Sequence, residues 1–464
     1  MATRSSDFTL QTSHFKLLFL LLGLPLATIA RASLRGGCSK VEITPPLGIT
    51  LIGSKGQPSD AIRDRLFAKA MVLSDGTTTI AIVSTDLLYT PLEEITNPVR
   101  ALIRERTGIA EKNVMVCATH THSGPEVFTR SKVPVEGRLD PSRIDQSYCR
   151  ALVSKIADSV QIAHQDVQDV RIGAAIGSLP EVLYNRRPRT PDGQVKMAFT
   201  VPETVAATRR LETGRDGRVH AVFDLPPGET PLEFGPIDPT VLAFRMEDSS
   251  GRVVGSMIGF GCHPVCIYPF LSTTISADYP AVATHIVEQA EGGTSLFVLG
   301  LAGNTVPLRR DVKPCDQLGK ALGGEALKRL QMATASGDVV LRAATREITL
   351  PCKAGGSSSS FTTEIQILVL GDTWILGLPG EILVEVGLAI KERASVKNLF
   401  LVTLANDVIG YVNHRQAYKE GGYEPGSGTL LAEGAGEILI EQALSLIEET
   451  TGPSPGEKEN DRKK

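Results

Sequence analysis

The sequence predicts an α/β fold: a single large domain with mixed β-sheets flanked by helices. Short runs rich in Val, Ile and Leu alternate along the chain with longer stretches of helical spacing. Several of those runs stop at a Gly or Pro breaker beside a histidine or carboxylate, the place where open α/β sheets gather ligands. With 464 residues, 42% hydrophobic and 22% charged, the chain has material for a large core. A formal charge of −4 argues against nucleic acid, which wants a basic face.

At the N-terminus, Arg4 and Lys16 precede an apolar run, and Ala30-Arg31-Ala32 offers the small residues that a signal peptidase reads. Residues 1–32 are therefore expected to be a cleaved signal peptide, and the protein to be secreted or periplasmic. The run is shorter than the roughly 20 residues a spanning helix needs. An oxidising destination permits disulfides, but seven cysteines leave at least one free, and most are expected as small buried residues. The domain is expected over 33–451, with 452–464 a charged, disordered tail.

In chain order, 40–48 predicts a strand entering a proline turn, and 67–73 with 79–84 a hairpin across Ser74-Asp75-Gly76. Helical spacing follows over 92–108, then a strand at 114–116, then a helix over 144–166. The stretch 179–239 is irregular, and its Tyr184-Asn185-Arg186-Arg187-Pro188 reads locally as a solvated loop. Strands at 241–246 and 253–260, a helix to about 290 and a strand at 295–299 come next. The turn Gly300-Leu301-Ala302-Gly303-Asn304 suits a close backbone approach to a ligand but lacks a phosphate-loop Lys-Ser/Thr. A helix over 316–332, a Gly/Ser surface loop at 355–360, and strands at 364–370 and 374–378 follow. Pro379-Gly380-Glu381 predicts the opening of a helix to 394; a strand at 399–404 and a helix over 436–449 complete the domain.

The chemistry centres on Cys117-Ala118-Thr119-His120-Thr121-His122-Ser123-Gly124-Pro125. On an extended backbone, residues two apart share a face, so His120 and His122 are expected to project together from a strand end. Residue spacing alone leaves a metal role, a catalytic role and a plain polar loop open. His263 repeats the arrangement after the run ending at Phe260. Two histidines and a carboxylate with an open position form a catalytic zinc set, whereas Glu381 also suits a helix N-terminus.

These segments resemble the catalytic domain of the neutral/alkaline, non-lysosomal ceramidase family, zinc amidases that cleave an N-acyl sphingoid amide. The resemblance is carried by Ala118-Thr119-His120-Thr121-His122-Ser123-Gly124-Pro125, Asn185-Arg186, His263, Pro379-Gly380-Glu381, and Tyr411 with Tyr423 twelve residues on. It implies Zn2+ held by His120, His263, Glu381 and Tyr411, with His122, Arg186 and Tyr423 as catalytic residues around the scissile carbonyl. His122 is then expected to donate the proton to the leaving amine, with a pKa near working pH. A small-molecule or lipid N-acyl substrate and a transient contact with a membrane surface follow from the same resemblance.

Two departures stand out. Gly303-Asn304-Thr305-Val306-Pro307 has valine where ceramide-cleaving members carry a serine, and the chain is expected to lack their additional C-terminal β-sandwich domain. Two other readings therefore stay open: a zinc hydrolase of another ester, amide or sugar-linked substrate, and a non-catalytic secreted binding protein on the same scaffold.

Overall fold

The computed structural model describes Met1 and residues 33–127, 144–354 and 358–452. The expected signal segment, apart from Met1, and the charged tail beyond Gly452 lie outside the described residues.

Twelve strands form two sheets. The larger contains β1 (Arg35–Glu42), β2 (Phe67–Ser74), β3 (Thr79–Thr85), β4 (Val114–Ala118), β5 (Gln168–Ser178), β6 (Thr240–Asp248), β7 (Val253–Phe260) and β8 (Thr294–Leu299), in spatial order β8-β7-β6-β5-β1-β2-β3-β4. The smaller is β9 (Leu341–Pro351), β10 (Ser360–Leu370), β11 (Thr373–Leu378) and β12 (Leu399–Thr403), in that order. Six helices of ten residues or more accompany them: α1 (Asn97–Thr107), α2 (Gln146–Gln165), α3 (Asp278–Glu291), α4 (Val312–Leu330), α5 (Val384–Arg393) and α6 (Ala435–Thr451).

One unit occurs three times. Two antiparallel steps are followed by a parallel pair joined through a helix: β1-β2-β3-α1-β4, β5-β6-β7-α3-β8 and β9-β10-β11-α5-β12. A parallel pair ends at one edge, so each unit delivers two loop starts side by side. Two ladder pairs, Arg35↔Asp169 and Gly36↔Gln168, join the first two units at a corner. Beyond that corner β8 returns against the first unit, where the buried Lys69 ammonium donates to the Ser295 carbonyl at 2.8 Å and the Ser84 hydroxyl donates to that of Phe297.

Strands such as β4 and β12 are apolar on both faces because both faces are covered. In β4, Val114, Val116 and Ala118 pack into the helix-side core with α1 and α2, while Met115 and Cys117 pack against Ile375, Phe400 and Val402 of the small sheet. The far face of the small sheet is closed by α5 and α6. The result is four layers, helix, sheet, sheet, helix, and the described residues from Ser33 onward form one compact unit. No helix among the described residues is long and apolar enough to cross a membrane.

Local chemistry accounts for most boundaries. Asp75 Oδ1 accepts from the N–H groups of Thr77 and Thr78 at 2.9 and 2.7 Å, closing the β2–β3 hairpin. Asp145 caps α2 by accepting from Ser147 and Tyr148. The predicted helix over 92–108 begins as a π turn (Leu92–Thr96), because Pro98 has no N–H to give the preceding turn, and ends at Gly108 with φ 77°. The expected Gly/Ser surface loop at 355–360 lies partly outside the described residues; its last residue, Ser360, opens β10, which pairs with β9. The helix expected from Pro379 starts only at Val384, after a two-residue strand, Glu381–Ile382.

Candidate metal centre

Each unit sends residues from the edge where its parallel pair ends. After β4 the chain turns sharply: His120 has φ 69°, a left-handed conformation uncommon for a side chain with Cβ. His120 and His122 thus do not share a strand face, as alternation along an extended backbone predicts. They lie beyond the strand, and the turn itself swings their rings together, with centroids 4.8 Å apart. His263 follows β7, and its ring centroid lies 4.8 Å from that of His120. Glu381 follows β11 on the strand Glu381–Ile382, which pairs in parallel with Tyr411–Val412 in the register Glu381↔Tyr411. That placement, not a helix N-terminus, sets the Glu381 carboxylate.

The rings are fixed from behind. His120 Nδ1 donates to the Leu88 carbonyl at 3.0 Å and His263 Nδ1 donates to that of Ala302 at 2.5 Å. A carbonyl only accepts, so both Nδ1 atoms carry the proton and both Nε2 atoms present bare lone pairs. Those two Nε2 atoms face each other at 3.2 Å, and Glu381 Oε2 lies 3.2 Å from one and 3.1 Å from the other. Tyr89 donates its hydroxyl to Glu381 Oε1 at 2.9 Å, while Oε2 has no hydrogen-bond partner. His122 Nε2 is likewise buried without one, and the three imidazoles offer nitrogens within 4.8 Å of one another.

The electrostatics follow from burial. Burial, then the Arg186 charge, lowers His263 to about 4. Burial and the neighbouring imidazoles of His120 and His263 hold His122 well below the ordinary histidine range. That direction runs counter to a His122 pKa near working pH. Positive charge on His120 or His263 would hold the Glu381 carboxyl well below the usual carboxylate range against the cost of burial. Burial, with Glu381 nearby, pushes the Tyr411 phenol well above its usual range.

Arg186 closes one wall and is not part of a solvated loop. Together with Tyr184, Asn185 and Arg187 it is buried, on and just after the strand Leu183–Asn185, which pairs with Thr305–Pro307. Its Nη2 donates to Tyr411 Oη and to the Gly303 carbonyl, each at 3.0 Å, and its Nε donates to Glu424 Oε1 at 2.8 Å. Arg187 donates to Glu424 Oε2 at 2.7 Å. The Tyr411 and Tyr423 ring centroids are 5.5 Å apart, and Tyr423, 39% exposed, carries the wall to the surface beside Phe199. Tyr268 stacks on His122 from the other side at 5.7 Å.

The Gly300–Asn304 turn makes a close backbone approach to the Glu381 strand. A Cβ on Gly303 would sit 2.5 Å from the Ile382 carbonyl oxygen, so only glycine lets this turn pass the Glu381 strand. Asn304 Oδ1 accepts from the Val384 N–H at 2.9 Å at the start of α5. Val306, at the departure from the serine of ceramide-cleaving members, is fully buried against Tyr184, Val205, Phe223 and Phe234.

The structure thus brings together all seven residues selected from sequence. It adds Tyr89, Tyr268 and Glu424, which sequence reasoning missed. Glu424 had one available signal, its position directly after Tyr423; Tyr89 and Tyr268 had none beyond lying past strand ends.

Comparisons with known proteins bear on the sequence and the fold. Residues 35–191 match the family described as neutral/alkaline non-lysosomal ceramidase, N-terminal. The neutral ceramidase of Mycobacterium tuberculosis is 23% identical over a 470-residue alignment that covers 82% of this chain and 71% of that protein. The crystal structure of neutral ceramidase from Pseudomonas aeruginosa superposes with a TM-score of 0.68 at 18% identity, covering 90% of this chain and 75% of that one. A ceramidase structure complexed with C2 gives the same TM-score and identity. This chain is thus similar to the neutral/alkaline non-lysosomal ceramidases in sequence over residues 35–191, and to solved ceramidases in fold over most of its length.

Proposed function

We propose that this protein is a zinc-dependent amidohydrolase that cleaves an N-acyl amide of the ceramide type. The observation that carries the reading is the meeting of three donors in one buried spot: His120 Nε2, His263 Nε2 and Glu381 Oε2. Two bare nitrogen lone pairs and a carboxylate oxygen repel one another unless a cation lies among them. An N,N,O donor set with each histidine oriented by a backbone carbonyl is the arrangement zinc takes in catalytic sites. Tyr411 is the proposed fourth donor, supported by its register opposite Glu381. A bound zinc ion supplies Lewis acidity and a nucleophile at neutral pH.

The chain's own groups do the rest. Arg186 is held by Glu424 with its guanidinium against Tyr411, and it faces the charge that develops on the substrate carbonyl oxygen together with Tyr423. Such donors contribute a few kcal/mol when preorganised. His122, neutral and with Nε2 unpartnered, first accepts a proton and then returns it to the leaving amine. The wall of Tyr411, Tyr423 and Phe199 offers aromatic surface to an acyl or sphingoid chain.

The case for an anionic substrate weakens in turn. Glu424 pairs with both Arg186 and Arg187, and Glu420 lies 3.8 Å from Arg187 and 3.0 Å from Arg189. Export remains part of the proposal, supported by the apolar run and Ala30-Arg31-Ala32 of the sequence; the N-terminal residue of the mature protein tests it. For the activity, purified protein is assayed on N-acyl sphingosines of increasing chain length and on matched esters, with and without a chelator. Chelator-sensitive amide cleavage that rises with chain length is expected. Cleavage of esters alone, or turnover indifferent to chelation, would contradict the proposal.

A further inference from the structure

A second group of metal-competent side chains lies behind the site: Cys266, Asp278 and Cys315, with both sulfurs and a carboxylate oxygen within 4.8 Å of one another. All three are fully buried. The carboxylate is already committed, since Asp278 Oδ2 accepts from the Ile267 N–H at 2.9 Å and Oδ1 accepts from that of Tyr279 at 2.8 Å. The thiols are not. Cys266 reaches the Arg309 carbonyl only at 4.0 Å, and Cys315 reaches Asp278 Oδ1 at 3.9 Å. The neighbouring Cys315 thiol, with burial, holds the Cys266 thiol well above the ordinary thiol range.

We propose that Cys266 and Cys315 form a disulfide that braces the loop carrying Tyr268. Cys266 lies on the loop after β7, two residues before the tyrosine that stacks on His122, and Cys315 lies in the first turn of α4. The two elements already meet through the backbone, where the Asp311 N–H donates to the Cys266 carbonyl at 2.9 Å. The bond forms by exchange with a small disulfide such as oxidised glutathione. One cysteine thiolate displaces the first glutathione thiol, and the second attacks the mixed disulfide and releases the other. Each cysteine gives up its proton, and two electrons pass to the oxidant, which leaves as two thiols. Because both sulfurs are inaccessible in the folded chain, exchange takes place while the protein folds.

The full chain is refolded in a glutathione redox buffer, its free thiols are alkylated in denaturant, and the digest is mapped by mass. The expected product links Cys266 to Cys315 and leaves the other five cysteines alkylated. Seven alkylated cysteines, a different pairing, or a second zinc equivalent per chain lost on substituting either cysteine would overturn it. A thermal scan gives an independent readout. Wild type refolded in dithiothreitol is expected to melt several degrees below wild type refolded in the glutathione buffer, and the Cys266→Ser/Cys315→Ser double variant to melt alike from both; equal Tm values for wild type from the two refoldings would also overturn the proposal.

Discussion

Arg186, Arg187 and Glu424 form one buried charged cluster, and His120, His263 and Glu381 form another a short distance away. In the first, each Glu424 oxygen accepts from one guanidinium, and the Nη2 atoms of Arg186 and Arg187 donate to the Gly303 and Gly421 carbonyls and to Tyr411. In the second, two lone pairs and an anion point at one another with no donor between them. A satisfied cluster holds a fold together and fixes a side chain. An unsatisfied one costs stability and is retained for what it binds. The contrast separates a positioning device from a reactive centre without any appeal to kinship.

The contrast can be broken first at the unsatisfied cluster. His263→Ala or Glu381→Ala should lower turnover by about a thousandfold, several kcal/mol of transition-state stabilisation at about 1.4 kcal/mol per factor of ten. Assays at saturating substrate check this. Glu424→Gln acts on the other cluster and should cost about 3–5 kcal/mol of stability, because it leaves two buried guanidiniums short of a counter-charge. By the same logic metal-free Glu381→Gln should be at least as stable as metal-free wild type, since an amide can donate to a bare Nε2. Denaturant melts of both variants decide between the two behaviours.

Smaller effects sharpen the picture. Chelation should lower wild-type stability by about 2.7 kcal/mol relative to protein held at a hundredfold excess of zinc over its Kd, and readdition should restore it. Val306→Ser places a hydroxyl among Tyr184, Phe223 and Phe234, and should cost about 1–3 kcal/mol. Restoring that serine should therefore not raise amide hydrolysis. A gain in kcat would mean that the position faces substrate.

Much of the framework was legible because its causes are local. The β2–β3 hairpin lies in Ser74-Asp75-Gly76 and two apolar runs, and α2 in its spacing and Asp145 cap. β9 was not legible: its middle residues are half-exposed and include Arg342, Arg346 and Glu347, so no apolar run marks it. The solvated-loop reading of Tyr184–Pro188 failed because the counter-charge, Glu424, lies more than two hundred residues along the chain. The histidine pair met for a reason that period-two alternation does not contain, a left-handed turn at His120 held by the His120 N–H donating to the Leu87 carbonyl at 2.9 Å. Glu381 was legible as a residue but not as a position, since its two-residue strand exists only by pairing with Tyr411.

The most direct test of the unsatisfied centre is zinc content, measured by mass spectrometry on protein dialysed against trace zinc. One equivalent per chain is expected in wild type and in Glu424→Gln, and a loss of that equivalent in His120→Ala, His263→Ala and Glu381→Ala. Full zinc content in the two histidine variants would show that the metal, if the protein binds one, is held elsewhere.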